Sequence, residues 1–340
     1  MAKRRERISN SNLLLAIAGS IFALMYAFAM LTFPHSFLQY QTFFDLFNLN
    51  APLIILTLGM SIVMIGGGID ISVGAVTGLV TMCCAVFMET GGGGVAGSLL
   101  LALGIGAAFG LSQGFLVAYL EIQPFIITLS GMFLANGLLT TIHKDPINVT
   151  AEAFVRLRDA EIVVPWLGTT NRLGVFIPLV VKPGAVIVFV LVVLLALLMR
   201  RTRFGRNLYA VGGSAQSALM LGVNVRRTKF LSYALCGLLS GIAGFVFVMT
   251  TGAGNVGNAA GFEMKAIAGS IIGGTMLTGG TGNMIGSPVG ALTLLIINEL
   301  IRAAGVNSNF QAIAGGLLLC AFIVLQSVVL WLRGADRRPG

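Results

Sequence analysis

Charge is what this chain lacks most. Only 10 % of its 340 residues are Asp, Glu, Lys or Arg, where a soluble domain carries roughly 25 %. That shortage excludes a water-soluble globular protein, because most of the chain would have to fold without a polar face. Histidine is nearly absent, with only His35 and His143, so a relay of coupled proton carriers has too few members. The four cysteines, Cys83, Cys84, Cys236 and Cys320, all lie in apolar runs without metal-ligand spacing. They read as small buried hydrophobes, and no metal site is expected. None of the five lysines follows a glycine, which excludes a GxxxxGK[ST] phosphate loop. Any ATP hydrolysis therefore belongs to another subunit, and the chain reads as neither an enzyme nor a cofactor protein.

Long uncharged runs are abundant instead. No charged residue falls in 8–44, 46–69, 91–120, 122–143, 183–199, 230–262, 266–298 or 303–332, and the mean hydropathy is +0.95. A membrane-spanning helix needs about 20 such residues. The pattern predicts an all-α polytopic membrane protein, one transmembrane domain over 1–340, with about ten spans. They are placed at 13–33, 50–68, 71–88, 97–119, 123–142, 184–199, 230–250, 264–279, 285–301 and 311–332. The amino terminus shows no small-residue cleavage signature and reads as a retained first span.

Basic residues set the expected orientation. Seven of them, and no acidic residue, lie between Arg200 and Lys229. The tail 1–12 holds Lys3, Arg4, Arg5 and Arg7, and the tail 333–340 holds Arg333, Arg337 and Arg338. The positive-inside bias places all three segments, and so both termini, on the cytoplasmic side. It places the mixed-charge loop 143–183 outside, with a short amphipathic helix expected over 151–160. The net charge of +9 is thus accounted for beside the inner leaflet and membrane lipid, and no nucleic-acid partner is implied.

Two regions are dense in glycine. Gly66-Gly-Gly-Ile-Asp70 is followed by Ile71-Ser-Val-Gly74, while Gly273-Gly274, Thr278-Gly-Gly-Thr-Gly282 and Gly286-Ser-Pro288 interrupt the carboxyl half. Glycine serves either close helix packing or breaks within a span, and interrupted segments at matching places in two halves point to a translocation path. Asp70 at such a break either orients a polar solute or caps amides freed by the break. Asn136, Asn255 and Asn258 add uncharged hydrogen-bonding capacity suited to a polyhydroxylated solute. Glu299 is read either as a solute contact or as the partner of Arg302, and Glu263 and Lys265 as interfacial anchors. Within the basic loop, small and apolar residues at helical spacing, Ala218 with Leu221 and Leu219 with Gly222, predict a short helix. It is either an inner-leaflet turn or a docking element for a cytoplasmic partner.

These segments resemble one family. Gly67-Gly-Ile-Asp-Ile-Ser-Val-Gly74, Gln123-Pro-Phe-Ile-Ile-Thr-Leu129, Arg201-Thr-Arg-Phe-Gly-Arg-Asn-Leu-Tyr-Ala-Val-Gly-Gly213 and Ala266-Ile-Ala268 with Gly279-Gly-Thr-Gly282 are similar to the inner-membrane permeases of bacterial ABC importers for monosaccharides. The chain resembles within it the second permease of a galactofuranose importer. The resemblance implies a multi-pass subunit in the bacterial inner membrane, paired with itself or with a sister permease. A periplasmic sugar-binding protein and a cytoplasmic ABC ATPase complete the assembly. It also implies that the loop 200–229 is the coupling loop, with Arg203, Gly205, Gly212, Gly213, Ala218 and Gly222 as its candidates. Lys265 and Gly66 depart from the family pattern and leave the solute open; a nucleoside or other small solute carried by the same machinery, or an ion-coupled secondary carrier, are the alternatives.

Overall fold

The computed structural model describes residues 2–170 and 176–306, together with 310, 313–317, 319–324 and 328. The chain opens with helix α1 (Ala2–Thr32) and a single turn α2 (Pro34–Phe37). Then come α3 (Tyr40–Ile65), α4 (Val73–Glu89), α5 (Val95–Ala118) and α6 (Pro124–Ile142). A connection follows with strand β1 (Ile147–Asn148), helix α7 (Glu152–Arg158) and strands β2 (Ile162–Thr170) and β3 (Phe176–Val181). Helix α8 (Pro183–Arg201) leads into α9 (Arg203–Gly213) and α10 (Ala215–Met220). The last labelled elements are α11 (Val225–Thr251), strand β4 (Ala253–Gly254), α12 (Phe262–Ile272) and α13 (Gly286–Ala303). Residues 313–317, 319–324 and 328 are helical; the rest of the span expected at 311–332, and the tail 333–340, lie outside the described residues.

Among the described residues, six helices are long and apolar enough to cross a membrane: Leu13–Thr32 within α1, then α3, α5, α6, α8 and α11. Helix α4 is a shorter apolar helix, and α12, with 11 residues, is about 16 Å long. The sequence pattern drew α12 through to residue 279, but its helix stops at Ile272. In the other direction, α3 begins at Tyr40 rather than residue 50. It carries a kink at Asn50 and Pro52, where proline removes a backbone donor and crowds the preceding turn.

Helix α3 is the axis of the bundle. Every residue from Ala51 to Ile65 is buried, as expected of a helix that is apolar all round. Its core cluster takes in Ala185 and Val188 of α8, Cys236 and Ala243 of α11, Ile271 of α12 and Ala291 of α13. A second cluster forms around Val76, Val80 and Ala85 of α4, closed by Ala102 of α5, Ala135 of α6, Phe154 of α7 and Val248 of α11.

Small residues set two of the closest approaches. Ala102, Gly106 and Gly110 recur every fourth position on α5 and meet Gly237 and Gly241 of α11. A Cβ on Gly110 would lie 2.6 Å from Tyr233 O, and one on Gly237 would lie 2.6 Å from Gly110 Cα. Gly269 and Gly273 of the α12 end face Gly286 and Gly290 of α13 in the same way. Without a hydrophobic force between helices in lipid, such backbone contact supplies the packing.

The connection between α6 and α8 holds more than the one short helix expected. Its β1 pairs antiparallel with β4, Ile147 opposite Gly254, and its β2 and β3 form an antiparallel hairpin with a register shift between Val164 and Gly168. Glu89 at the end of α4 fastens this connection. Thr150 donates its backbone N–H and its hydroxyl to the Glu89 carboxylate, each at 2.7 Å. Those two donors, the amide first, hold the Glu89 carboxyl below its usual range.

Candidate translocation site and coupling element

Both glycine-rich regions are breaks between helices, and both end in the same turn. After α3, Gly67 N–H reaches Met64 O (2.9 Å) and Gly68 N–H reaches Val63 O (3.0 Å), which closes the helix. The chain then turns at Asp70, whose Oδ1 accepts the Ser72 backbone N–H (3.0 Å) and the Ser72 hydroxyl (2.6 Å). Gln113 of α5 donates to the Ser72 hydroxyl at 2.9 Å, and the Tyr233 hydroxyl donates to Ile69 O at 3.1 Å. Asp70 and Ser72 are each 2 % exposed. After α12, Gly274 N–H reaches Ile271 O and Thr275 N–H reaches Ser270 O, both at 2.9 Å. The loop ends at Asn283, whose Oδ1 accepts the Ile285 N–H (3.0 Å). Each turn is an Asx turn, the side-chain oxygen taking the amide two residues on. A buried amide left without such a partner costs about 1–3 kcal/mol.

The two breaks touch. Gly280 N–H donates to Ile65 O at 2.8 Å, and a Cβ on Gly279 would lie 2.9 Å from Gly67 Cα. The Ser61 hydroxyl of α3 and the Ser287 hydroxyl of α13 hydrogen-bond at 2.6 Å, and Ser270 of α12 donates to Thr57 O of α3 at 3.1 Å.

Helix α9 closes this junction from the basic end. Its apolar side buries Leu208 and Val211 while Arg203 and Arg206 are exposed. Thr202 accepts Gly205 N–H at 3.3 Å and starts the helix. Gly205 packs on the last turn of α8, where a Cβ would overlap Met199 O. At the other end of α9, Gly212 fits between the breaks: a Cβ there would overlap Ile65 O and lie 2.6 Å from Gly280 N. Gly213 lies against Gly280, 2.6 Å from the Cβ position of that glycine. Tyr209 donates its hydroxyl to Gly282 O at 2.9 Å. Burial pushes that phenol up to about 12, so it remains a donor throughout the physiological range.

Helix α10 hangs from α9 at Ser214, whose Oγ accepts the Ser217 N–H (3.2 Å). It ends at Gly222, in the left-handed region at φ 77°, with Val223 N–H reaching back to Ala218 O at 3.0 Å. This is the short helix expected over 214–222. Ala218 is its buried contact, while Leu219, Met220 and Leu221 are 64 %, 80 % and 81 % exposed.

On the opposite side of α4 the chain does something the span pattern did not anticipate. After α11 ends at Gly252, it runs without helix down the side of α4. Gly254 lies against Met82, a Cβ on Gly78 would be 2.8 Å from Asn258 O, and one on Gly74 would be 3.2 Å from Ala259 O. From Met82 to Gly74 is eight residues, about 12 Å along the α4 axis. Asn255, Gly257 and Ala260 of this segment are exposed. Exposed non-helical backbone cannot face hydrocarbon, so at membrane depth such a segment borders water or protein. Asn255 Oδ1 accepts Gly257 N–H (3.0 Å) and Asn258 Nδ2 donates to Ala253 O (3.1 Å).

The sequence candidates therefore fall into separate places. Asn255 and Asn258 lie on the descending segment. Asn136 is exposed on α6, between Gly131, which sits beside Ser72, and Leu139, which sits beside Gly78. Asn258 thus lies beside the first half of α4, Asn255 beside its middle near Met82, and Asn136 is exposed on the neighbouring α6. Asp70 lies behind them, fully occupied in its turn. Glu299 stands apart on α13, ion-paired with Arg302 at 3.0 Å. Arg203, Gly205, Gly212, Gly213, Ala218 and Gly222 all lie on α9, on α10 or at their ends. Asn283 and Tyr209 were not singled out from the sequence. Asn283 had a signal, an Asx residue between a glycine run and a helix start, as at Asp70; Tyr209 had only its place in the amphipathic stretch.

Comparison with known proteins gives the family. Residues 42–322 match the family model described as branched-chain amino acid transport system / permease component. The fructose import permease protein FruG of Bifidobacterium longum is 34 % identical over 86 % of this chain and 84 % of its own. The inner membrane ABC transporter permease protein YjfF of Escherichia coli is 34 % identical over 94 % of both chains. The ribose import permease protein RbsC of Escherichia coli is 30 % identical over 91 % of this chain and 92 % of its own. No solved structure matches. On that coverage, with apolar helices of spanning length throughout, this multi-pass inner-membrane chain belongs to the permease-component family of bacterial ABC importers, as a transmembrane subunit and not as an ATPase.

Proposed function

We propose that the chain moves a monosaccharide across the inner membrane, as one of two permeases beneath a periplasmic sugar-binding protein and above a cytoplasmic ABC ATPase. The names of the relatives, import permeases for fructose and ribose, support a sugar. So do the asparagines Asn255 and Asn258 beside α4 and Asn136 on α6, because amides donate to and accept from hydroxyl groups without favouring an ion. Galactofuranose is the sugar we propose, on the likeness of the glycine-rich and basic segments to the second permease of such importers. In this reading the chain spans the membrane about ten times. Both termini and the loop 200–229 are cytoplasmic, and the loop 143–183 is periplasmic.

One observation carries the mechanism: α9 and α10 form a continuous unit whose inner end rests on both helix breaks and whose outer end is an exposed apolar tip. Closure of the ATPase subunits pushes on Leu219–Leu221. Through Gly212 and Tyr209 the push reaches Ile65 and Gly280–Gly282, and the breaks pass it to α4 and α12. The segment Gly252–Gly261, lying between those two helices, then changes its exposure. Coupling of this kind needs two states of different solute access and no reacting group in this chain.

The test is purification of the tagged chain in mild detergent with identification of every stoichiometric partner. Recovery of an ATPase subunit, and uptake that depends on ATP and on the binding protein, is the expected result. A chain that purifies alone and moves solute down an ion gradient contradicts the proposal.

A further inference from the structure

The β2–β3 hairpin stands at the end of the bundle opposite α9 and α10. Its two strands carry no charged residue over Ile162–Thr170 and Phe176–Val181. Apolar side chains on it remain uncovered: Trp166 is 80 % exposed, Ile162 55 %, and Phe176 and Ile177 49 % each. A two-stranded hairpin is marginal in water without a surface to pack on, so an uncovered apolar hairpin requires a partner.

The base of the hairpin is fastened to the end of α3. Gln41 holds both sides of one peptide strand position, accepting Val180 N–H at 2.8 Å and donating to Val180 O at 3.1 Å. Asn48 donates to the same oxygen at 3.1 Å and accepts Lys182 N–H at 2.9 Å. Asp45 in turn accepts both amide groups, from Gln41 at 2.7 Å and from Asn48 at 3.1 Å. This clasp fixes the hairpin at the level where α8 begins, one residue past Lys182. From there α8 exposes Phe189, Val190, Val193, Leu194 and Leu197, an apolar face suited to lipid on a helix of spanning length. Along the chain, Lys182 is the one charged residue between strand β3 and that face.

We propose that the β2–β3 hairpin is an interfacial anchor, lying on the bilayer with Trp166 at the headgroup level. Tryptophan is enriched at that depth because its ring is apolar and its N–H is polar. The absence of charge on the strands disfavours a soluble protein as the occupant, since such contacts carry a polar rim. Continuity with the lipid-facing side of α8 favours the membrane. The clasp then holds the start of α8 at a fixed depth while α4 and α12 move. This inference stands independently of what the protein transports.

The chain offers a simple reporter, having only two tryptophans, Trp166 and Trp331. The full chain carrying Trp331→Phe is reconstituted in phosphatidylcholine nanodiscs, with and without bromine on the acyl chains. The expected result is blue-shifted emission, quenched by the brominated lipid and insensitive to iodide in the buffer. A second reporter, Phe176→Trp in a Trp166→Phe, Trp331→Phe background, is expected to behave the same way from the other strand. Iodide quenching with no effect of bromine would place the hairpin in water and overturn the proposal. Blue-shifted emission untouched by either quencher would also overturn it, by showing a protein cover such as a second copy.

Discussion

The two helix breaks solve one problem with different chemistry. Each leaves the chain non-helical inside the bundle, and each restarts the next helix with an Asx turn, at Asp70 before α4 and at Asn283 before α13. The first is short and braced from within the core, by Gln113 of α5 and Tyr233 of α11. The second is longer, and its outer loop is gripped by α9 through Tyr209. A carboxylate serves one and an amide the other. The shared part of the design is therefore the acceptor oxygen, and the difference lies in which element restrains each loop. Both breaks meet α9 at Gly212; the one braced by the core is the stiffer, and the one gripped by an amphipathic surface helix yields further to a force from outside.

The largest expected effect comes from the point where α9 meets both breaks. Gly212→Leu, with no room for even a Cβ beside Ile65 O, forces apart groups whose overpacking costs about 1–3 kcal/mol. Uptake is expected to fall to background while ATP hydrolysis by the complex persists. Coupled uptake at the normal rate would sever the link between α9 and the breaks. Gly222→Leu, strained by its left-handed backbone, is expected to uncouple in the same assay by displacing the tip of α10.

Next come the turns themselves. Asp70→Ala removes the acceptor of the Ser72 amide and is expected to destabilise the chain by about 1–3 kcal/mol, read as a lower melting temperature in detergent. Asp70→Asn keeps an acceptor oxygen, as Asn283 does naturally, and is expected to retain most of that stability. If it transports poorly while melting normally, the carboxylate has an electrostatic role beyond the turn. Tyr209→Phe loses one hydrogen bond to Gly282 O, about 1 kcal/mol. Its expected signature is a raised ATPase rate per sugar imported with little change in melting.

The smallest effect concerns the clasp at Glu89. Its carboxyl is held low in the folded chain, so the stabilisation it gives is present above the ordinary carboxylate range. It is lost as pH falls through the lowered folded value. Protection of the Ile147–Thr150 amides, taken relative to their intrinsic exchange rates, is expected to fall in acid below about pH 4, and Glu89→Gln should abolish that dependence. An unchanged acid response in Glu89→Gln would assign it to another group.

Much of this architecture could be read from residue order. The long uncharged runs gave the lengths of α5, α6, α8 and α11, because in lipid a helix must satisfy its own backbone. The short helix after Ser214 followed from small and apolar spacing closed by Gly222. What stayed hidden depended on contacts between distant segments. Helix α12 ends at Ile272 because Gly273 packs on Gly286, which no hydropathy window sees. The segment Gly252–Gly261 falls between the spans expected at 230–250 and 264–279, and only its contacts with Gly78 and Gly74 show that it runs back along α4. The hairpin was masked by Pro165, since proline within an apolar run argues against a strand. The register shift between Val164 and Gly168 accommodates it.

The central claim is that the segment beside α4 borders the solute path and that α9 controls its exposure. Its most direct test places a single cysteine at Asn255 or Asn258, in a chain whose four native cysteines are replaced. Labelling by a membrane-impermeant thiol reagent is then measured in the reconstituted complex with and without ATP. The account predicts that both positions label and that their rates change between nucleotide states, with the change lost in Gly212→Leu. Positions that never label, or that label equally in every state, would contradict it.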